Sequence, residues 1–410
     1  MGIAMARVGG GQHQVATRSD RPRVVVEPQV IVTETGAATT RDERLTEARE
    51  RPTGVDESRS TKQRSTAREA QASAQLPDSP PALEDIVTIT DTDPRFSDSI
   101  SLMDDTPLAL EVAEDTRRRI ALAGRRFPRP KDTRVMTVAN QKGGVGKTTT
   151  TVNIAAALAQ AGLRVLVLDI DPQGNASTAL GIDHHAEVPS IYDVLVDGRP
   201  LAEVIQPCPD VENLWCAPAT IDLAGAEIEL VSLVARESRL QRAVTAYLED
   251  RRSAGDEPLD YILIDCPPSL GLLTVNAFVA AREVFIPIQC EYYALEGLSQ
   301  LLKNVELIKG HLNRGLRVST ILLTMYDGRT RLSSQVADEV RAHFPTEVLR
   351  TTVPRSVRIS EAPSHGQTVM TYDPASSGAL SYLEAARELA EQVLGADITH
   401  RDGSRSEEQR

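Results

Sequence analysis

From Arg134 onward the chain carries short runs of Val, Ile and Leu without polar alternation: VMTVAN (135–140), RVLVLDI (164–170), YILIDC (261–266), VFIPI (284–288) and VSTILLTM (318–325). Strands covered by helices on both faces read this way, whereas half-solvated strands alternate apolar and polar residues. Between the first two runs lies TTTTVNIAAALAQAG (148–162), a strong helix former that Gly162 terminates. Strand, glycine-rich turn, helix, strand is a βαβ unit. Its repetition predicts an α/β fold with a mostly parallel, doubly wound sheet flanked by helices. Val336, Val340 and Phe344 recur at helical spacing in RLSSQVADEVRAHF (331–344), as do Leu380, Leu383 and Leu389 in GALSYLEAARELAEQVL (378–394). RRSAGDEPLD (251–260) reads as a surface loop, and the residues after Gly395 as a loose polar tail.

The chain before Arg134 has a different texture. Residues 1–105 are rich in Arg, Glu, Asp, Ser and Thr, with only short apolar runs such as VVVEPQVIV (24–32). So little apolar surface does not offset the entropy of ordering a chain, and a long disordered N-terminal arm is expected. Its many acids and the lack of a continuous apolar core argue against a transit or signal peptide. In TPLALEVAEDTRRRIALAGRRFPRPK (106–131), Leu110, Val112, Ile120 and Leu122 fit a helix that Gly124, Pro128 and Pro130 would end. The expected organisation is a disordered arm over 1–105, a basic helical linker over 106–133, an α/β nucleotide-binding domain over 134–395 and a disordered tail over 396–410.

Composition narrows the functional classes. A formal net charge of −13 excludes a uniformly basic nucleic-acid binder, so any DNA contact must come from a local patch. No run is long and apolar enough to span a membrane, and a cytosolic location is expected. Cys208, Cys216, Cys266 and Cys290 lack C-x-x-C spacing and suitably spaced histidines, which points to buried reduced thiols.

The first strand runs directly into NQKGGVGKTTT (140–150). Glycines let backbone N–H groups crowd an anion, and the helix that follows adds its positive end. Gly143, Gly144, Val145 and Gly146 form that approach; Lys147 would reach the β/γ-phosphates, and Thr148 and Thr149 open the helix, with the Thr148 hydroxyl on Mg2+. The usual loop is G-x-x-x-x-G-K-[ST]; here Gln141 replaces its first glycine and an extra lysine, Lys142, follows. Asp265 ends a strand in the position of a magnesium-holding acid. Asp169 and Asp171 stand two apart in LVLDIDPQGN (166–175), on one side of an extended chain. A strand-end aspartate can be a mere cap; beside a phosphate loop, Asp171 is the better candidate to orient an attacking water and to join Thr148 and Asp265 at the metal.

The combination K-G-G-x-G-K-T, D-x-D-P-Q-G-N and I-D-C-P-P resembles the ParA/Soj family of chromosome-partitioning ATPases. That family lies within the deviant-Walker-A group of P-loop NTPases that includes MinD and the nitrogenase iron protein. The likeness extends over residues 134–395, through IDLAGAEIELV (221–231), DCPPSLGLLTVNA (265–277), QCEYYALEGLSQLL (289–302), LLTMYDGRTRLSSQV (322–336) and VPRSVRISEAPSHGQ (353–367). The wording and the N-terminal extension are similar to actinobacterial members.

The resemblance implies ATP and Mg2+ as cofactors and an ATP-sandwich homodimer, in which Lys142 crosses to the partner subunit's phosphates. It implies an adenine wall near Pro354 and a dimer surface near EYYALEG. It further implies nucleoid association through sequence-blind binding of double-stranded DNA, and ParB as the stimulator of hydrolysis. Arg329, Arg331, Arg355 and Arg358 are the basic candidates for the DNA phosphates, Arg329 and Arg358 foremost; a solubilising surface or internal ion pairs are the alternative. A second cluster, Arg117, Arg118, Arg119, Arg125, Arg126, Arg129 and Lys131, would add DNA affinity, dock a polar scaffold protein or form a solvated helix face. A MinD-like membrane ATPase would instead end in a basic amphipathic helix, whereas this chain ends ITHRDGSRSEEQR.

Overall fold

The computed structural model describes residues 107–122 and 124–407; the arm expected over 1–105 lies outside the described residues. One eight-stranded sheet organises them, in the order β3-β4-β2-β5-β1-β6-β7-β8. The strands are β1 (Arg134–Val138), β2 (Val165–Asp169), β3 (Gln206–Pro207), β4 (Leu214–Ala217), β5 (Tyr261–Asp265), β6 (Glu283–Gln289), β7 (Arg317–Tyr326) and β8 (Val348–Pro354). All neighbours pair in parallel except β3 with β4, so the carboxyl ends of the parallel strands share one edge. Ligands of open α/β sheets bind at that edge.

The apolar runs are explained by two cores, one on each face. In β2, Leu166 and Leu168 face one core while Val165 and Val167 face the other. The second core is closed by the helix Lys147–Gln160 and the last helix, Ser377–Glu407, through Ile154, Leu158, Tyr382 and Leu389. The first is closed by helices Leu223–Val231, Arg239–Ala254, Leu272–Ala280, Ala294–His311 and Arg331–His343. Across the sheet, Arg134 on β1 makes a bidentate pair with Glu283 on β6 (2.9 and 2.6 Å) and donates to the carbonyl of Leu389 at 2.8 Å.

Several boundaries differ from the sequence expectations. The strand β8 carries exposed and half-buried residues because it is an edge strand, and so lacks the apolar run by which its neighbours are recognised. The short β4, LWCA, is equally inconspicuous. The helix Arg239–Ala254 runs into the loop expected over 251–260 and stops at Gly255, whose φ of 77° favours glycine. The last helix passes Gly395 and continues to Glu407, so the tail expected over 396–410 is helical through Glu407. Each of the glycines at 395 and 403 costs a helix only about 1 kcal/mol, and no proline falls between them and Glu407.

The basic segment before the domain is a helix, Pro107–Leu122. Arg118 pairs with Glu384, and Arg119 donates to the carbonyls of Pro374, Ala375 and Ser376, which fastens this helix to the last one. Leu122 and Phe127 are buried, whereas Leu110, Val112 and Ile120 are exposed. Arg118, Arg119 and Arg129, which donates to the carbonyl of Gly162, therefore have partners within the chain. All four cysteines are buried and unpaired.

Candidate functional site

The loop after β1 wraps tightly because Gly144 and Gly146 take left-handed φ values of 74° and 87°, costly for any side chain. Its floor is fixed from neighbouring strands. Thr324 on β7 donates to the carbonyl of Val145 at 2.8 Å, and the Asn140 amide donates to the carbonyl of Pro287 at 2.8 Å. Gly143 and Gly144 face open space on their outer side, the room an approaching phosphate needs.

Lys147 is buried at the helix start, where burial pulls its ammonium below the ordinary lysine range while Asp265 and Asp171 oppose that shift. Thr148 Oγ1 donates to Asp265 Oδ2 at 2.7 Å and Thr151 Oγ1 to Asp265 Oδ1 at 3.0 Å. Thr151 was missed from sequence; its signal is the three-residue spacing from Thr148 on one helix face. Thr149 lies one position round the helix, and its carbonyl accepts from Asn153 Nδ2 at 2.7 Å.

Asp169 and Asp265 are directly opposite on paired strands, and both are fully buried. Burial raises both carboxyls above the usual range; the Asp169 charge adds to the shift of Asp265 and the Asp171 charge to that of both, while the hydroxyl bonds from Thr148, Thr151 and Ser177 partly oppose it. Asp169 uses both oxygens within its own chain. Oδ1 accepts from the Asp171 backbone N–H at 3.2 Å, and Oδ2 accepts from the backbone N–H and hydroxyl of Ser177 at 2.8 and 2.7 Å. Ser177 Oγ in turn accepts from the Ala219 N–H at 3.2 Å. Asp171, itself almost buried, accepts from the Gln173 N–H at 3.1 Å.

Lys147, Thr148, Asp169, Asp171 and Asp265 thus come together at the carboxyl edge of β1, β2 and β5. Lys142 stands apart from them, its Nζ 2.5 Å from Glu291 Oε2 beyond the end of β6. Pro354 closes β8 and is half-buried. Arg329 folds back on Asp327 through bonds of 2.9 and 3.1 Å, and Arg355 adds its charge to the same carboxylate, which is held below its usual range chiefly by Arg329. Arg358 is shared between Glu361 (3.2 Å) and Asp373 (3.4 Å). Arg331 opens the helix Arg331–His343 and is exposed.

Ala219 leads into the helix Leu223–Val231, whose outer side is unusually apolar. Ile228 is 79% exposed, and the following Val234 is 87% exposed, with Ile221 and Val231 also open to solvent. The acids of this helix point elsewhere: Glu229 accepts from the Tyr192 hydroxyl, and Glu227 lies against Gly271. Among the described residues no helix is long and apolar enough to cross a membrane, and no three His, Cys, Asp or Glu side chains gather as a metal cage.

Residues 133–318 match a family model described as an AAA domain. The chain is 54% identical over 257 residues to the sporulation initiation inhibitor protein Soj of Bacillus subtilis, covering 63% of this chain and 98% of that protein. It is 50% identical over 256 residues to the chromosome partitioning protein ParA of Myxococcus xanthus, covering 62% of this chain and 87% of the other. Among solved structures, cobyrinic acid a,c-diamide synthase from Mycobacterium smegmatis with bound ADP and magnesium superimposes with a TM-score of 0.53 at 37% identity, covering 63% of this chain and 94% of that one. With half of its aligned residues shared with chromosome-partitioning proteins across most of their length, the chain belongs to the ParA/Soj family of chromosome-partitioning ATPases.

Proposed function

We propose that the chain is a Mg2+-dependent ATPase that dimerises around ATP, coats double-stranded DNA of the nucleoid and releases it when ParB stimulates hydrolysis, so moving a chromosome origin or plasmid. The observation that carries this reading is the convergence of Lys147, Thr148, Asp171 and Asp265 on the open mouth of a glycine loop. The bound ADP and magnesium of the mycobacterial diamide synthase support the choice of cofactors.

The donor set fits magnesium. Thr148 and Asp265 offer hard oxygens 2.7 Å apart, and Asp265 is a buried acid whose charge a dication would stabilise. Thr148 and Asp265, with Asp171 beside them, would hold the ion, which neutralises phosphate charge when bound. The chain's own residues supply the rest. Backbone N–H groups of Gly143 to Thr149 cradle the phosphates, and Lys147 neutralises their charge. Asp171 accepts a proton from, and orients, the attacking water. Asp169 serves the site by holding the main chain of Asp171 and the turn at Ser177. Lys142 reaches the partner subunit's phosphates, Pro354 borders adenine, Arg329 and Arg358 exchange their present carboxylate partners for DNA phosphates, and Arg331 and Arg355 add contacts to the same phosphates. Residues 134–395 form the ATPase domain, with 106–133 as a basic extension fastened to its last helix and to the turn at Gly162.

The test is turnover measured with DNA alone, ParB alone and both together. Synergy is expected; stimulation by anionic lipid vesicles instead would overturn the reading. Asp171→Ala should lower turnover by about 10²-fold or more while ATP-dependent DNA binding persists. Unchanged turnover would remove Asp171 from its assigned role.

A further inference from the structure

Lys142 is the loop residue that the local site leaves unused, yet both its main chain and its side chain are held from one place. Its backbone N–H donates to Asn140 Oδ1 at 3.1 Å, and the Asn140 amide is bound to the carbonyl of Pro287 on β6. Its ammonium sits 2.5 Å from Glu291 Oε2, while Gln289 Nε2 donates to Glu291 Oε1. The stretch from Pro287 to Glu291 therefore fixes where the lysine begins and where it ends. Such pairing is more than a solvated loop lysine requires. The side chains of Lys142 and Glu291 nevertheless remain 36% and 46% exposed, so the pair is weak enough to open.

We infer that Glu291, oriented by Gln289, is a positioning residue that retains Lys142 on its own subunit until a second, nucleotide-bearing copy offers phosphate in place of the carboxylate. This rests on the reading that Lys142 crosses to the partner's phosphates. The exchange swaps one oxyanion for another around the same ammonium, with no proton transferred. A phosphate group carries more charge than a carboxylate, so the swap runs toward the dimer only when nucleotide is bound. The cost of opening each Lys142–Glu291 pair raises the threshold for dimerisation.

The test is ATP-dependent self-association of the full chain, measured by sedimentation in an Asp171→Ala background so that ATP persists. Glu291→Gln keeps the shape and the amide contact but removes the charge that holds the lysine. It should tighten self-association about 3-fold, the scale of an exposed ion pair, and should have no effect when Lys142→Ala is also present. Weaker or unchanged association with Lys142 in place would overturn the inference, as would an equal effect of Glu291→Gln in both backgrounds. If Lys142→Ala alone leaves association unchanged, the crossing lysine itself is wrong, and the inference falls with it. A second measurement needs no dimer: acylation of the Lys142 amine in nucleotide-free protein, followed by peptide mass, should run several-fold faster in Glu291→Gln. An unchanged rate would show that Glu291 does not restrain the lysine.

Discussion

Asp265 and Asp169 illustrate how a single residue can serve function at the expense of the fold. Two carboxyls buried on adjacent strands are both held above the usual acid range, chiefly by burial, with the Asp169 charge adding to the shift of Asp265. Neutralising Asp265 should relieve the fold while removing the acid proposed to hold magnesium. Asp265→Asn is therefore expected to raise the unfolding free energy of nucleotide-free protein by about 1–3 kcal/mol and to lower Mg2+-dependent turnover by about 10²-fold. Denaturant melts and turnover assays on the same preparation check both halves. At this scale the sequence was legible wherever chemistry requires a fixed spacing: the glycines, Lys147, Thr148 and the strand-end aspartates are all found at the site. Ser177 was not legible. It reaches Asp169 only because the turn at Gly174 brings it back, and a lone serine in a short helix carries no signal of that return.

Elements were readable in proportion to how fully they are buried. The central strands announced themselves as unbroken Val, Ile and Leu runs, while β8, at the edge, mixes polar and apolar residues and was missed. The Arg134–Glu283 pair joins two central strands and the last helix, so its loss should be felt by the whole sheet. Burial would raise the Glu283 carboxyl, but the Arg134 bonds and charge outweigh it and hold the group below its ordinary value. A depressed acid stabilises the fold above its unfolded pKa and ceases to do so as pH falls through the folded value. Glu283→Gln should therefore cost about 3–5 kcal/mol near neutrality. That penalty should shrink as pH falls below about 4, where the unmodified glutamate also begins to lose its charge. Urea melts of both proteins across that pH range provide the measurement.

For the whole molecule, the charge balance decides how DNA can be met. A chain of net charge −13 has to present its arginines locally. Arg329 and Arg358 are exposed in their pairs with Asp327, Glu361 and Asp373, and such surface pairs are easily exchanged. Replacing both by Glu should reduce ATP-dependent DNA binding by more than about 10-fold at low salt and flatten its salt dependence. Binding that is unchanged in a salt titration would place the DNA surface elsewhere.

The bonds around Ser177 also make the enzyme mechanically continuous. Asp171, the residue proposed to orient water, hangs by its main chain from Asp169, Asp169 is gripped by Ser177, and Ser177 is tied to Ala219 at the root of the segment bearing Ile221, Ile228, Val231 and Val234. A partner that grips that apolar outer helix would therefore pull on the carboxylate inside through three hydrogen bonds. Cutting that path with Ser177→Ala should leave ATP affinity near its original value but uncouple turnover from any protein that grips the helix, so that the stimulated rate falls toward the unstimulated one.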